Sequence, residues 1–102
     1  MGVSAYEALV KSDGPLHYYR FGEVPDQVLA SDEVGNNDGS YTTPDMKGSP
    51  GAIVGDPDTA ITLDGVDAYV GIPGVFDTTG ATQWSVELWV KPTVDTGTNR
   101  FI

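Results

Sequence analysis

The most regular alternation of apolar and polar positions lies at residues 84–91, WSVELWVK. Alternate side chains of an extended strand point to opposite faces. One face here is entirely apolar: Trp84, Val86, Leu88 and Val90. The other face carries Trp89 among polar neighbours, and Pro92 ends the pattern because proline cannot donate a ladder hydrogen bond. The pattern predicts a central strand that is covered on both faces.

Near the amino end, residues 4–12 predict a short helix. Ser4 can accept hydrogen bonds from the free N–H groups of the first turn, and Glu7 follows three residues later, as in a capping box. The sequence DGP at 13–15 ends the helix, because glycine tolerates a left-handed backbone and proline cannot continue the ladder.

The remaining patterns are those of short strands and turns. A run rich in β-favouring residues occupies 16–23, whereas 24–38 has no sustained period and indicates a long surface loop. Further strands are predicted at 40–43, 51–54, 59–64 and 68–73, with the last two joined by a turn at Asp64-Gly65. Short strands at this spacing favour an antiparallel sandwich or barrel.

Composition narrows the function classes. The chain has 102 residues and a formal net charge of -10, with no basic cluster to offset it. Such a charge repels phosphate backbones, so we expect no nucleic-acid partner. The absence of cysteine excludes disulfides and thiolate metal sites. No uncharged stretch is long enough to span a bilayer, so we expect no membrane partner.

Four motifs, in order along the chain, resemble the opening half of a laminin G-like module of the concanavalin A-like lectin/glucanase superfamily. They are HYYRFGE at 17–23, DEVGNNDGSYT at 32–42, SPGAIVGDPDTAITLDGVDAYVGIP at 49–73 and WSVELWVKP at 84–92. The resemblance implies an all-β fold, an antiparallel jelly-roll β-sandwich in partial form with a short N-terminal helix. It divides the chain into a helix and connection at 1–15 and the first half of a sandwich at 16–102.

Laminin G-like modules usually run to nearly twice this length, so the resemblance implies that the later strands lie outside the chain shown. An exposed central strand is an aggregation liability. We therefore expect another chain to complete or cover the open sheet, and the protein to be part of an oligomer.

The resemblance also suggests a biological setting. Similar modules that start near the initiator methionine occur in bacteriophage tail and other virion proteins, and the stretch after Met1 lacks the basic and apolar regions of a secretory signal. We expect the protein to be made in the host cytoplasm and to reside in the virion. The expected partners are other virion chains and a host-surface glycan.

Four aspartates are the candidate metal ligands: Asp56, Asp58, Asp64 and Asp67. Calcium prefers six to eight hard oxygen ligands, and calcium is the one cofactor that these residues suggest. Against a calcium loop, Ala60 stands where the usual spacing requires another Asp or Asn. The alternative is that GDPD and DGVD form turns, for which Asp and Gly are the favoured residues.

Glu87 and Trp89 are the candidate ligand-binding residues, because a tryptophan ring can stack on a sugar and a carboxylate can accept its hydroxyls. Alternatively, Trp89 is a core residue and Glu87 pairs with a backbone or Arg20 donor. Glycoside hydrolysis requires two carboxylates, and this strand carries one. We therefore expect no enzymatic activity and no catalytic residue.

Two charged residues of the first β-rich run, Arg20 and Glu23, are expected to form a structural ion pair. His17 is the only histidine, and without cysteines no zinc site or catalytic triad can be built around it. We expect a surface or half-buried strand histidine.

The sequence thus predicts a non-catalytic binding or assembly module of a phage virion. One hypothesis is adhesion to a host-surface glycan, and the other is docking on neighbouring virion chains. The alternatives from other classes are a glycoside hydrolase, which would need a second acid from elsewhere, and a calcium-dependent lectin fragment of an extracellular protein.

Overall fold

The computed structural model describes residues 4–43, 46–73 and 79–93. One helix precedes five short strands: α1 Ala5–Ser12, β1 Leu29–Ala30, β2 Gly39–Tyr41, β3 Ser49–Pro50, β4 Thr59–Ala60 and β5 Val70–Gly71. The strands form two antiparallel sheets, one in the order β1-β2-β5 and the other β3-β4. The described chain is therefore a small β-rich domain of antiparallel sheets with one short helix.

Helix α1 begins and ends where the sequence predicts. Ser4 is the N-cap, and its hydroxyl accepts a 3.1 Å hydrogen bond from the N–H of Glu7. Gly14 follows the carboxyl end with a φ of 70°, a left-handed conformation that favours glycine. The buried side chains of this region are polar, namely Ser4 and Glu7, whereas Leu9 is 61% exposed. The buried contacts of the helix with the rest of the fold are therefore polar, with Asp56 and Arg20.

Strand pairing differs from the hairpin expected between residues 59–64 and 68–73. Strand β4 pairs with β3, with Ser49 opposite Ala60. Strand β5 pairs instead with β2, with Tyr41 opposite Val70. The turn at Asp64 is present, but it carries the chain from one sheet to the other, so the two strands that it joins are not neighbours.

The apolar core is small and includes side chains of the β1-β2-β5 sheet. Its buried members are Ala30, Tyr41 and Met46. Four half-buried apolar side chains pack against them: Phe21, Ile61, Ala68 and Val70. Tyr41 is central, because its ring also lies edge-on to Phe21, with ring centroids 6.5 Å apart.

Three predicted strands do not form, and two of them are at 16–23 and 51–54. Residues 16–23 contribute only an isolated antiparallel bridge between Tyr19 and Asp32. Phe21 has a φ of 58°, a conformation that is uncommon for bulky residues and that a regular strand does not contain. Residues 51–54 form bends and a turn rather than a strand, and Val54 is fully exposed there.

The 84–91 segment also differs from its prediction. Among the described residues it belongs to neither sheet and takes part in no strand or bridge. Every side chain of this segment is exposed. A segment whose sequence is typical of a central strand is therefore exposed to solvent.

No helix in the described ranges is both long and apolar enough to cross a membrane.

Close approach of β2 and β5 requires glycine at position 39. A Cβ atom added there would lie 3.0 Å from Val70 Cγ1 and 3.1 Å from the carbonyl oxygen of Gly71. We predict that Gly39→Ala lowers the free energy of unfolding by about 1–3 kcal/mol through overpacking.

Denaturant unfolding measures this effect, with Gly22→Ala as the matched control. A Cβ at Gly22 would meet nothing closer than Thr59 Oγ1 at 3.9 Å, an ordinary contact. The control should change stability by less than about 0.5 kcal/mol. Equal effects of the two substitutions would contradict the close packing of β2 against β5.

Candidate functional site

A buried carboxylate, that of Asp32, organises the loop before β2. Its side chain has no exposed surface. One oxygen accepts from the backbone N–H groups of Tyr18, Val34 and Gly35 at 3.1, 3.2 and 2.9 Å. The other lies 2.7 Å from His17 Nδ1 and accepts from the N–H of Asn37. These contacts attach residues 17–18 to the loop that leads into β2.

The pKa of Asp32 shows which influence dominates. Burial alone would raise it, but the hydrogen bonds from His17 and from the N–H groups of Gly35, Tyr18 and Val34 outweigh burial. They hold the pKa of this carboxyl well below its usual range, because every bond favours the charged form. His17 is half-buried, as expected, and contributes to this network.

A second polar cluster connects helix α1 with the GDPD turn. Arg20 Nη1 lies 2.6 Å from Glu7 Oε1, and Arg20 Nε donates to Asp58 Oδ2 at 2.9 Å. Arg20 Nη2 also contacts the other oxygen of Asp58, which makes the pair bidentate. The bond to Asp58 is the main reason that the pKa of Arg20 is raised. Lys11 completes the cluster on Glu7 at 2.6 Å.

The ion pair that the sequence predicts between Arg20 and Glu23 does not form. Arg20 is bound to Glu7 and Asp58, whereas Glu23 accepts a hydrogen bond from the hydroxyl of Tyr41. Burial, followed by the bond to Glu23, raises the pKa of the Tyr41 hydroxyl well above its usual range. Arg20 and Glu23 therefore make their contacts in different parts of the fold.

The candidate metal ligands act in turns and in side-chain contacts. Asp64 Oδ1 accepts from the N–H groups of Val66 at 2.8 Å, Asp67 at 3.1 Å and Ala68 at 3.0 Å. These bonds, led by the one from Val66, lower its pKa to about 2. Asp56 accepts from the hydroxyl of Ser4 and from the N–H of Asp58.

The calcium hypothesis gains no support from this arrangement. Asp56 and Asp58 engage Ser4 and Arg20, and Asp64 closes the DGVD turn that contains Asp67. Within the described ranges, no group of three or more His, Asp or Glu side chains is placed to hold a metal ion.

The 84–91 segment exposes five large apolar side chains within seven positions. Their exposed fractions are 66% for Trp84, 43% for Val86, 50% for Leu88, 65% for Trp89 and 50% for Val90. Single exposed apolar residues are ordinary on protein surfaces, but five in one short segment are typical of an interaction surface. This grouping makes the segment the candidate functional site.

Trp89 joins the segment to helix α1. Trp89 Nε1 donates a 2.9 Å hydrogen bond to the hydroxyl of Tyr6 on helix α1. The two rings meet edge to face, with centroids 6.4 Å apart. Trp89 is therefore not the core residue of the alternative interpretation. Glu87 is exposed, and Arg20, one of the two kinds of donor in that alternative, binds Glu7 and Asp58 instead.

A shallow groove of about 440 Å³ lies along the β2-β5 pair. It is lined by Ser40, Tyr41, Thr42, Tyr69, Gly71, Ile72 and Pro73. Tyr69 is exposed, and its N–H donates to Thr42 Oγ1 at 2.9 Å. The groove places an aromatic ring beside residues that carry hydroxyl groups.

Sequence reasoning missed the roles of Glu7, Asp32 and Tyr6. Asp32 stands in a loop rich in Asn, Asp and Gly, which indicated turns but not a buried charge. The capping box was a signal that Glu7 lies in the first helical turn, close to Ser4. Its contact with Arg20 joins residues distant in sequence, and no local pattern reports that.

Comparisons of the chain with models of protein families, with curated proteins and with solved structures found no match.

We predict that Asp32→Asn lowers the free energy of unfolding by about 2–4 kcal/mol, because an amide cannot accept from all of the donors that surround this carboxylate. Chemical denaturation at neutral pH measures the loss. Asp26→Asn is the matched control, since Asp26 is exposed, and it should change stability by less than about 0.5 kcal/mol.

The pH dependence of stability, compared between wild type and Asp32→Asn, tests the ionisation of Asp32. Because its folded pKa is lowered, the carboxylate contributes stability that is fully present above its unfolded pKa of about 3.9 and is lost as the pH falls through the folded pKa. The stability gap between wild type and Asp32→Asn should be constant above about pH 5 and narrow below about pH 4. A gap that is independent of pH would refute this account.

Proposed function

We propose that the chain is a non-catalytic assembly module of a phage virion, and that its 84–91 segment docks as a β-strand on a neighbouring chain. The observation that carries the proposal is the exposure of five large apolar side chains in a segment whose alternation is that of a covered strand. On this proposal the fold is the first half of a laminin G-like jelly-roll, as the four sequence motifs suggest.

Docking is favourable because the segment leaves apolar side chains and unpaired backbone groups exposed to water. Full burial of one Val, Leu or aromatic side chain is worth about 1.5–3 kcal/mol. Five side chains that are about half exposed therefore hold on the order of 5 kcal/mol of unrealised burial. The backbone of the segment pairs with neither sheet, so an added strand would also satisfy its N–H and C=O groups.

The small core of the described residues agrees with this proposal. Buried apolar side chains are limited there to Ala30, Tyr41 and Met46. A protein of this size normally buries most of its large apolar residues. An interface that covers the 84–91 segment would supply the missing burial.

Lysine substitutions within the segment test docking. We predict that Val86→Lys with Leu88→Lys excludes the chain from the assembled particle, because two charges would have to be desolvated at the interface. Incorporation is measured by quantitative mass spectrometry of particles assembled with wild-type or substituted chain.

The matched control is Val24→Lys with Val54→Lys, which adds the same two charges at exposed apolar positions outside the segment. The control should be incorporated as the wild type is. Equal incorporation of the segment variant and the control would rule out docking through residues 84–91.

Adhesion to a host glycan is the second candidate, and the groove beside Tyr69 favours it. Exposed aromatic rings stack on sugar faces, and Ser40 and Thr42, which carry hydroxyl groups, line the same groove.

We predict that the particle loses glycan-array binding when Tyr69→Ala is introduced and keeps it with Val66→Ala, an exposed control. Retention of binding by Tyr69→Ala would exclude the groove as the sugar site.

A further inference from the structure

We infer that the chain which docks on the 84–91 segment is a second copy of this chain, paired antiparallel about Trp89. This inference rests on the proposed function, and it specifies the partner and the register. The observations behind it are the exposure of the segment, its two charges and the position of Pro92, which follows it.

The charges of the segment are self-complementary in one antiparallel register. When Trp89 lies opposite Trp89 of a second copy, each Glu87 lies opposite Lys91 of that copy. Both side chains are exposed and available for such a contact. Opposite charges placed directly across an antiparallel pair are stabilising. The same register places Leu88 opposite Val90 twice, so apolar side chains also meet.

The phase of the hydrogen bonds is compatible with the proline. In antiparallel pairing, hydrogen-bonded and non-hydrogen-bonded residue pairs alternate. If Trp89 forms a hydrogen-bonded pair with its counterpart, then Glu87 and Lys91 do so as well. Pro92 then falls opposite Val86 in a non-hydrogen-bonded pair, where the missing N–H costs nothing.

Other arrangements of two copies satisfy fewer of these conditions. A parallel pairing in register would place Glu87 opposite Glu87 and Lys91 opposite Lys91, which is destabilising. An antiparallel pairing centred on Leu88 instead of Trp89 would place Glu87 opposite Trp89 and Lys91 opposite Ser85. The register centred on Trp89 alone pairs both charges.

Helix α1 supports the paired strands from one side. An isolated two-stranded ribbon is marginal in water, and packing against a helix is one way to stabilise it. Each Trp89 already contacts Tyr6 of its own helix through a hydrogen bond and an edge-to-face ring contact. A ribbon of two copies would thus be backed by two helices.

The net charge of each copy opposes association over long distances but not at the contact. Two chains of formal charge -10 repel each other. At physiological ionic strength charges separated by more than about 8 Å are largely screened. The Glu87 and Lys91 contacts, being closer, keep more of their attraction.

Charge reversal tests the inference by sedimentation of the purified chain. We expect the wild type to form a dimer with a Kd on the order of 10 µM. Glu87→Lys and Lys91→Glu each replace two attractive contacts by two repulsive ones, and each should weaken the dimer at least about tenfold. Asp26→Lys, an exposed charge reversal outside the segment, should dimerise at least as well as the wild type.

The decisive sample is an equal mixture of the two single variants. In the mixed dimer the lysine introduced at position 87 of one copy faces the glutamate introduced at position 91 of the other. The native Lys91 of the first copy faces the native Glu87 of the second, so the mixed dimer should regain the wild-type affinity. The double variant Glu87→Lys with Lys91→Glu should regain it as well.

Tryptophan fluorescence gives a second readout of the same dimer. The only two tryptophans, Trp84 and Trp89, both lie in the segment. Their emission should shift to shorter wavelength on dimerisation, because the proposed register places the two Trp89 rings opposite each other and removes part of their surface from water.

Two results would overturn the inference. One is a wild-type chain that stays monomeric up to about 100 µM. The other is a dimer that is insensitive to the charge reversals or that the mixture does not restore. Neither result affects docking on a different chain, which fails only if the Val86→Lys, Leu88→Lys protein enters the particle as the wild type does.

Discussion

The carboxylate of Asp32 makes five hydrogen bonds to a loop and to a neighbouring segment, and it does so without exposure to water. An ionised group in this position is stable only while its donors stay in place, since an unpaired buried charge costs several kcal/mol. The entry of the chain into β2 and the position of residues 17–18 both depend on it.

A second ion cluster places the helix. Glu7 and Asp58 hold Arg20 between them, and Asp56 receives the hydroxyl of the helix cap Ser4. The described fold is therefore organised by buried and half-buried polar contacts around a small apolar core. Such contacts give a definite arrangement but little of the burial that stabilises a domain.

Features that depend on near neighbours were predicted well. The N-cap at Ser4, the end of the helix at Gly14 and the turn at Asp64 all follow from side-chain hydrogen bonds and backbone preferences within a few residues. The antiparallel β-rich class also followed from strand-like spacing. Features that depend on distant partners were not predicted, such as the pairing of Arg20 with Glu7 or of β5 with β2.

The 84–91 segment shows this limit most clearly. Its alternation indicates which face of a strand is apolar, but it does not indicate which other segment, if any, covers that face. Glu87 and Trp89 were candidates because of their side-chain chemistry, whereas the contact of Trp89 with Tyr6 was not predicted, because it joins residues 83 apart.

Amide hydrogen exchange shows whether the 84–91 segment becomes a paired strand in the assembled protein. We expect slow exchange in the assembly at the ladder-bonded amides of the segment, and fast exchange in the dissociated chain. Equally fast exchange in both states would mean that the segment does not pair.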